Sequence, residues 1–289
     1  MPSQPAPDQP ATDHHPLEAM WALCEQADAC REAGRYAQAE QLYLQALAHP
    51  ASEDEVEWAT TANSLGILYK YMGRYDEAEP LYQKALVILE RTIGSDHPDV
   101  ASLYHNLGGL EHARGNYQRG EPFARRSVAI REAALGADHP DVAADVAALA
   151  ALIDGQERFA EAEALYQRAL AVFERVYGPE DMEIAINLNN LAAIRYHQED
   201  YGAAETLYAR ALRIKEMQLG CAHPEVAMTL NNMAVLYKTQ GRLALAQAAY
   251  ERALSIYRQT LTPAHPHLVL CLANYADLLA EMEVKDGGI

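Results

Sequence analysis

The 289-residue chain has a formal net charge of −18, and half of its residues are hydrophobic, with only three phenylalanines. That charge argues against nucleic acid, because phosphate binding needs concentrated Lys and Arg, while it favours solubility and tolerates basic partners. No apolar run approaches the roughly 18 residues of a membrane span, and no basic-then-apolar signal pattern opens the chain, so no membrane and a cytoplasmic location are expected.

Residues 1–16, MPSQPAPDQPATDHHP, contain five prolines and almost no apolar bulk, which predicts a disordered tail. His14 and His15 on it read as solvated rather than as metal ligands. A helical pattern begins at Leu17, is interrupted at Gly34, and resumes from Tyr36 to Ala48. This second helix carries Ala39, Leu42, Tyr43, Ala46 and Leu47, spaced three and four apart as one buried stripe.

The stripe returns as Ala78, Leu81, Tyr82, Ala85, Leu86 and as Ala162, Leu165, Tyr166, Ala169, Leu170. It returns again as Ala204, Leu207, Tyr208, Ala211, Leu212 and as Ala246, Ala249, Tyr250, Ala253, Leu254. Ahead of these helices stand Tyr36, Tyr75, Tyr117, Phe159 and Tyr201. A small residue at a crossing lets helices approach, and the nearby tyrosine fills the adjoining gap. The tyrosines are therefore expected to be packing residues.

The first helices keep the same beat. Asn189-Asn190-Leu191-Ala192 recurs 42 residues later as Asn231-Asn232-Met233-Ala234. Weaker echoes stand at Asn63-Ser64-Leu65-Gly66, His105-Asn106-Leu107-Gly108, Ala147-Ala148-Leu149-Ala150 and Ala273-Asn274-Tyr275-Ala276. The fixed period is that of a stacked array, in which each repeat contacts its neighbours and no single large core is needed.

Between repeats, Ile93-Gly94, Leu135-Gly136 and Leu219-Gly220 end a second helix, and each Gly is expected to take the left-handed conformation. His97-Pro98, His139-Pro140, His223-Pro224 and His265-Pro266 then open the next helix, with Pro at its first position and Asp99, Asp141 and Glu225 at its positive end. The four histidines occupy four successive inter-repeat loops and cannot converge on one metal ion.

Paired helices, the small residue at Gly66, Gly108 and Ala192, and the Ala/Tyr/Ala stripe resemble the tetratricopeptide repeat. The 42-residue unit, with its LG-x-x-HP-x-VA, LNNLA and EAEPLYQ-x-AL motifs, is similar to the kinesin-light-chain-like subclass. The resemblance covers about Leu17 to Met282. It implies an all-α, right-handed superhelical solenoid of antiparallel helix pairs: six pairs plus a C-terminal capping helix. The array is expected over 17–284, with a disordered end at 285–289. Asp277, Glu281 and Glu283 are expected to give the last helix a polar outer face, so that the array stops there by design.

No nucleophile elbow, phosphate loop, HExxH or dinucleotide motif appears, so no catalytic residue, cofactor or metal site is assigned. Glu77 with Glu79, and Glu161 with Glu163, sit at the starts of second helices, where the dipole favours negative charge. Cys24, Cys30, Cys221 and Cys271 are scattered, without a CxxC pair, and read as buried free thiols.

The resemblance also implies that first helices line a concave surface able to bind a peptide. Helical spacing then selects Asn63, Lys70, His105, Asn106, His112, Asn189, Asn190, Tyr196, His197, Asn231, Asn232, Lys238 and Asn274 as inner-face residues. Asn is a poor helix former, costing roughly 0.5 kcal/mol or more against Ala, so seven on one face need a reason. Either the amides form a structural ladder between neighbouring repeats, or they clamp the backbone of an extended ligand with donor and acceptor together.

The six first helices from the second repeat on sum to a formal charge of only −1. They therefore form a near-neutral surface inside an acidic shell. Kinesin relatives take acidic peptides bearing an aromatic residue, and Lys70 and Lys238 are placed to receive such a ligand. The alanine helix around Ala147-Ala148 breaks the polar stripe, which puts the strongest clamp between Asn189 and Lys238. The function read from the sequence is a non-enzymatic scaffold for a protein or peptide ligand. A structural or self-associating array, including a homo-oligomer, is the alternative.

Overall fold

The repeated stripe and the capped turns give an alternation of helices throughout the computed structural model, which describes residues 16–49, 55–263 and 265–286. Of the expected tail at 1–16 and end at 285–289, residues 1–15 and 287–289 lie outside those residues, whereas Pro16 opens the first helix and residues 285 and 286 close the last. The chain divides into two units, residues 1–116 and 117–289. In the first, α1 (Pro16–Glu32) pairs with α2 (Tyr36–Leu47), α3 (Glu55–Tyr71) pairs with α4 (Tyr75–Thr92), and α5 (Pro98–Ala113) follows. The second opens with α6 (Tyr117–Leu135). The pairs α7 (Pro140–Asp154) with α8 (Phe159–Tyr177), α9 (Met182–His197) with α10 (Tyr201–Leu219), and α11 (Pro224–Thr239) with α12 (Leu243–Thr260) come next, and α13 (Pro266–Asp286) is last. The described residues are thus all-α, of the helical-repeat solenoid class, with thirteen helices.

Tyr43, Tyr82, Tyr166 and Tyr250, one in each of four second helices, are fully buried beside Ala39 and Ala46, Ala78 and Ala85, Ala162 and Ala169, and Ala246 and Ala253. The small residue on the facing helix explains how a whole ring fits. At Gly66 a Cβ would stand 2.5 Å from the Tyr82 ring, so the ring packs directly on the α3 backbone.

The His-Pro loops have a further mechanism. Each imidazole is the N-cap: Nδ1 of His97, His139, His223 and His265 accepts the backbone N–H of Asp99, Asp141, Glu225 and His267 at 3.2 Å. At the corresponding place in α9, Asp181 accepts from the Glu183 N–H at 2.9 Å. The glycines that close second helices do have positive φ, but Gly178 and Gly220 pair it with ψ of 169° and 157°. That is the glycine-only extended region rather than the left-handed helical one expected from the motif.

Ion pairs repeat as regularly as the apolar stripe. Glu40, Glu79, Glu121, Glu163 and Glu205, near the starts of second helices, bind Arg74, Arg114, Arg158, Arg195 and Arg242 of the following repeat. The four pairs other than Glu163–Arg195 span 2.6–2.8 Å. A second series joins neighbouring second helices: Arg168 to Glu132, Arg210 to Glu174, and Arg252 to Glu216. Glu79 and Glu163 are therefore cross-repeat partners as well as dipole-favoured charges. Solvent screening leaves each pair only a small contribution at such exposed sites.

Two expectations are corrected here. Cys30 and Cys271 are buried, but Cys24 is only partly so and Cys221 is exposed, since it follows Gly220 in an inter-repeat turn. The outward face of α13 is only partly polar. Asp277 and Glu283 are exposed as expected, but so are Val269, Leu270, Leu272 and Leu279, because the helix buries the stripe of Leu268, Cys271 and Leu278.

Candidate functional site

Successive first helices touch one another within each unit, α3 with α5 and α7, α9, α11 and α13 in series. This closeness divides the asparagine face. Asn106, Asn189 and Asn231 are buried, whereas Asn63, Asn190, Asn232 and Asn274 are half-buried. The expectation that Asn189 and Asn231 face an open surface is thereby altered: the next first helix covers them.

Their amides bond across repeats. Asn106 Nδ2 donates to Asn63 Oδ1 at 2.7 Å in the first unit. In the second, Asn232 Nδ2 donates to Asn189 Oδ1 at 3.5 Å, and Asn274 Nδ2 donates to Asn231 Oδ1 at 3.4 Å. Thr229 adds a hydroxyl bond to Asn189 at 3.3 Å. Asn190 hydrogen-bonds the Tyr166 hydroxyl of the preceding second helix.

In the first unit Lys70 and His112 are electrostatic neighbours. Burial pushes the Lys70 ammonium below the ordinary lysine value. Partial burial, and then the Lys70 charge, hold the His112 imidazole below its ordinary value of 6.5. Lys70 has no carboxylate partner among the described residues, and its Nζ lies 3.3 Å from where a Cβ on Gly109 would stand. That glycine gives the lysine room to lie across α5. His105 on the same helix is half-buried.

The second unit holds a hollow of about 440 Å³, lined by Tyr196, Val235, Lys238, Thr239, Tyr250, Asn274 and Glu281. Three of these, Tyr196, Lys238 and Asn274, are inner-face residues expected from helical spacing. The Tyr196 hydroxyl is 2.9 Å from Thr239 Oγ1, which fixes the tyrosine at the rim. Lys238 is half-buried and makes no ion pair among the described residues, whereas Arg195 and Arg242 on either side in sequence are both paired.

Next to this hollow, His197 stacks on Phe159, with ring centroids 4.9 Å apart and planes 9° apart, and meets Tyr196 edge-on. Asp154, at the end of the alanine helix, is near enough for His197 to favour its charged form, although burial is the larger influence and raises its carboxyl. Ala144, Ala147, Ala148 and Ala151 keep part of their surface open on α7.

Glu281, Val235, Tyr250 and Thr239 were not selected by the inner-face arithmetic. Val235 follows Asn231 by one helical turn and Thr239 follows Asn232 by two, on the flank of the same stripe. Tyr250 comes from the second-helix packing pattern, and Glu281 had been assigned to the outer face of α13. Its inclusion follows from α13 burying the stripe at Leu268, Cys271 and Leu278, which turns residue 281 inward.

Sequence and structure comparisons place this geometry among known proteins. The tetratricopeptide repeat pattern matches residues 58–133, 99–152, 143–217 and 225–283, and a second pattern of the same description matches 22–57. Kinesin light chain-related protein 1 of Arabidopsis thaliana is 41% identical over 76 residues, which are 26% of this chain and 12% of that protein. Kinesin light chain-related protein 3 of the same plant is 40% identical over 65 residues, 22% of this chain and 10% of that one. The chain thus spans about a tenth of the curated relatives it matches. BtubC (BKLC) of P. vanneervenii aligns over 88% of this chain and 95% of its own, with a TM-score of 0.61 and 23% identity. A putative kinesin light chain repeat protein of Podosopora anserina covers 70% and 95%, with a TM-score of 0.58 and 23% identity. These two structures show the fold.

Proposed function

Because the chain belongs to the tetratricopeptide repeat family, with kinesin-light-chain-like repeats and a scaffold that mediates protein–protein interaction, we propose that it is a non-enzymatic receptor for an extended, acidic peptide segment. The ligand lies along the first helices of the second unit. The observation that carries this reading is the hollow of about 440 Å³ at Tyr196, Lys238 and Asn274, where Lys238 makes no ion pair among the described residues although Glu281 lines the same hollow.

Such a site offers a peptide three kinds of contact. Lys238 takes a carboxylate. The Tyr196 ring and Val235 form an apolar wall for an aromatic side chain. The half-buried amides of Asn190, Asn232 and Asn274 can meet backbone groups, while the buried Asn189 and Asn231 hold the helices that carry them. Ladder and clamp are then two roles of neighbouring residues on one face. In the first unit Lys70 and His112, with Asn63, His105 and Asn106 around them, make a second place of the same chemistry.

Fluorescently labelled 15-residue peptides, varied in Asp/Glu content and in one aromatic position, test the reading by anisotropy. Acidic, aromatic peptides are expected to bind the wild-type chain. Lys238→Met is expected to weaken the best of them about 10-fold, which is the loss of one charge-assisted contact. Equal affinity for wild type and variant, or a preference for basic peptides, contradicts the proposal.

A further inference from the structure

At one position of the repeat the charge changes sign from helix to helix. Lys70, His112, Asp154, Tyr196 and Lys238 follow one another at the 42-residue period. Each stands in the last turn of a first helix, and α3, α5, α9 and α11 all have a basic residue in that turn. The alanine helix α7 has none there and ends on Asp154. A carboxylate at that end opposes the helix dipole, which favours cations.

Asp154 also lacks a partner inside the chain. It is half-buried, and no hydrogen bond or ion pair among the described residues reaches its carboxylate. Arg158, four residues on, is held instead by Glu121 and Glu161. His197 of α9 is within electrostatic reach, but its ring is stacked on Phe159 and makes no ion pair among the described residues. Burial raises the phenols of Tyr166 and Tyr208, and the Asp154 charge adds to the rise in both. The carboxylate therefore lies on the side of α7 that faces α9 and α10, along the inner face.

Burial and the helix end both disfavour a negative charge at this place, and a cation brought by a ligand compensates for them. We propose that Asp154 selects a basic side chain of the ligand, so that the bound peptide is acidic at Lys238 and basic two repeats away. This rests on the receptor reading above and adds a charge pattern to it. Ala147 and Ala151, half-open one and two turns before Asp154, leave room for the methylene stem of a lysine. The spacing follows from the fold, in which α7 touches α9 and α9 touches α11. Two such steps of about 8–10 Å each cover about 16–20 Å. An extended chain advances roughly 3.3 Å per residue, so the basic and acidic side chains stand about five or six residues apart.

Labelled 15-residue acidic, aromatic peptides with Lys, Ala or Glu five or six positions from the acidic residue, on either side of it, test the proposal by anisotropy. The lysine peptide is expected to bind wild type about 10-fold more tightly than the alanine one, with the glutamate peptide weakest. Asp154→Asn is expected to remove that order, and Asp154→Lys to reverse it in favour of glutamate. Without peptide, Asp154→Asn is expected to melt at or above the wild-type temperature, whereas loss of a carboxylate held within the chain would lower it. Equal binding of the three peptides by wild type, an order that survives Asp154→Asn, or a lower melting temperature in that variant overturns the proposal. Lys238→Met, measured on the same peptides, keeps the two readings apart. Weakening by Lys238→Met with indifference at position 154 overturns the charge pattern alone, whereas failure of every acidic peptide to bind overturns both.

Discussion

At two inter-helix turns the backbone conformation and the residue are at odds. Glu157 and Glu199 have φ of 61° and 62°, in the left-handed region that glycine fills at Gly73, Gly115 and Gly241, the same place in other repeats. The Cβ clash there costs a non-glycine residue roughly 1–2 kcal/mol, partly offset by the greater unfolded-state entropy of glycine. Glu157→Gly is therefore expected to raise stability by up to about 1 kcal/mol in urea denaturation at neutral pH. His112 makes a second residue-scale prediction. Its folded-state imidazole is held low by burial and by Lys70, so as pH falls the unfolded chain takes up that proton first. The contribution to stability is complete above the ordinary value of 6.5 and is lost as pH falls through the folded value. His112→Gln is expected to flatten the stability profile below pH 7, and Lys70→Met to raise the imidazole toward its ordinary value in an NMR titration.

Among the elements, α10 and α11 are joined by a buried cation. Lys215 is fully buried and its Nζ donates to Glu225 Oε2 at 2.8 Å, with the Glu225 backbone oxygen at 3.4 Å. The equivalent position is Tyr257 in α12 and Phe173 in α8, both buried, so the site accepts an apolar residue of similar size. Lys215→Met is expected to leave stability unchanged or improve it, because desolvating the ammonium offsets most of the ion-pair gain. Glu225→Ala strands the charge and is expected to cost about 2–3 kcal/mol, less than for a fully enclosed pair because solvent reaches Glu225. Thermal melts of the two variants separate these outcomes.

Element order was legible from the sequence because period, stripe and punctuation agree. The Ala/Tyr/Ala spacing marks each second helix, and His-Pro marks each first one. The glutamate–arginine series was equally periodic but was missed, since Glu79 and Glu163 already had a dipole explanation. The outer face of α13 was partly misjudged from three acidic residues. Their positions around the helix, with Leu268, Cys271 and Leu278 turned inward, decide what solvent meets, and Glu281 goes to the hollow instead.

For the whole molecule, the inner-face residues were legible by helical arithmetic, whereas their burial was not. Arithmetic puts Asn189 and Asn190 together on one surface. Only the close approach of α11 to α9 separates them into a covered residue and a half-open one. The same holds for Asn231 and Asn232 beneath α13. Lys238 and Tyr196 were expected from helical spacing, but their meeting at one hollow, with Val235 beside them, required the fold. The proposed recognition rests on the half-buried amides of that face, of which Asn232 and Asn274 also donate to the buried asparagines beneath them.

Side-chain NMR on the second unit's asparagines, within the full chain, tests that recognition most directly. On addition of the tightest acidic, aromatic peptide, the side-chain amide resonances of Asn190, Asn232 and Asn274 and the Lys238 methylene signals are predicted to shift with one common saturation curve. Those of Asn187, which is buried and donates to the Glu183 carbonyl at 2.8 Å, are predicted to stay in place. Shifts confined to surfaces away from Tyr196, Lys238 and Asn274, or binding that leaves all of these resonances unmoved, would contradict the account.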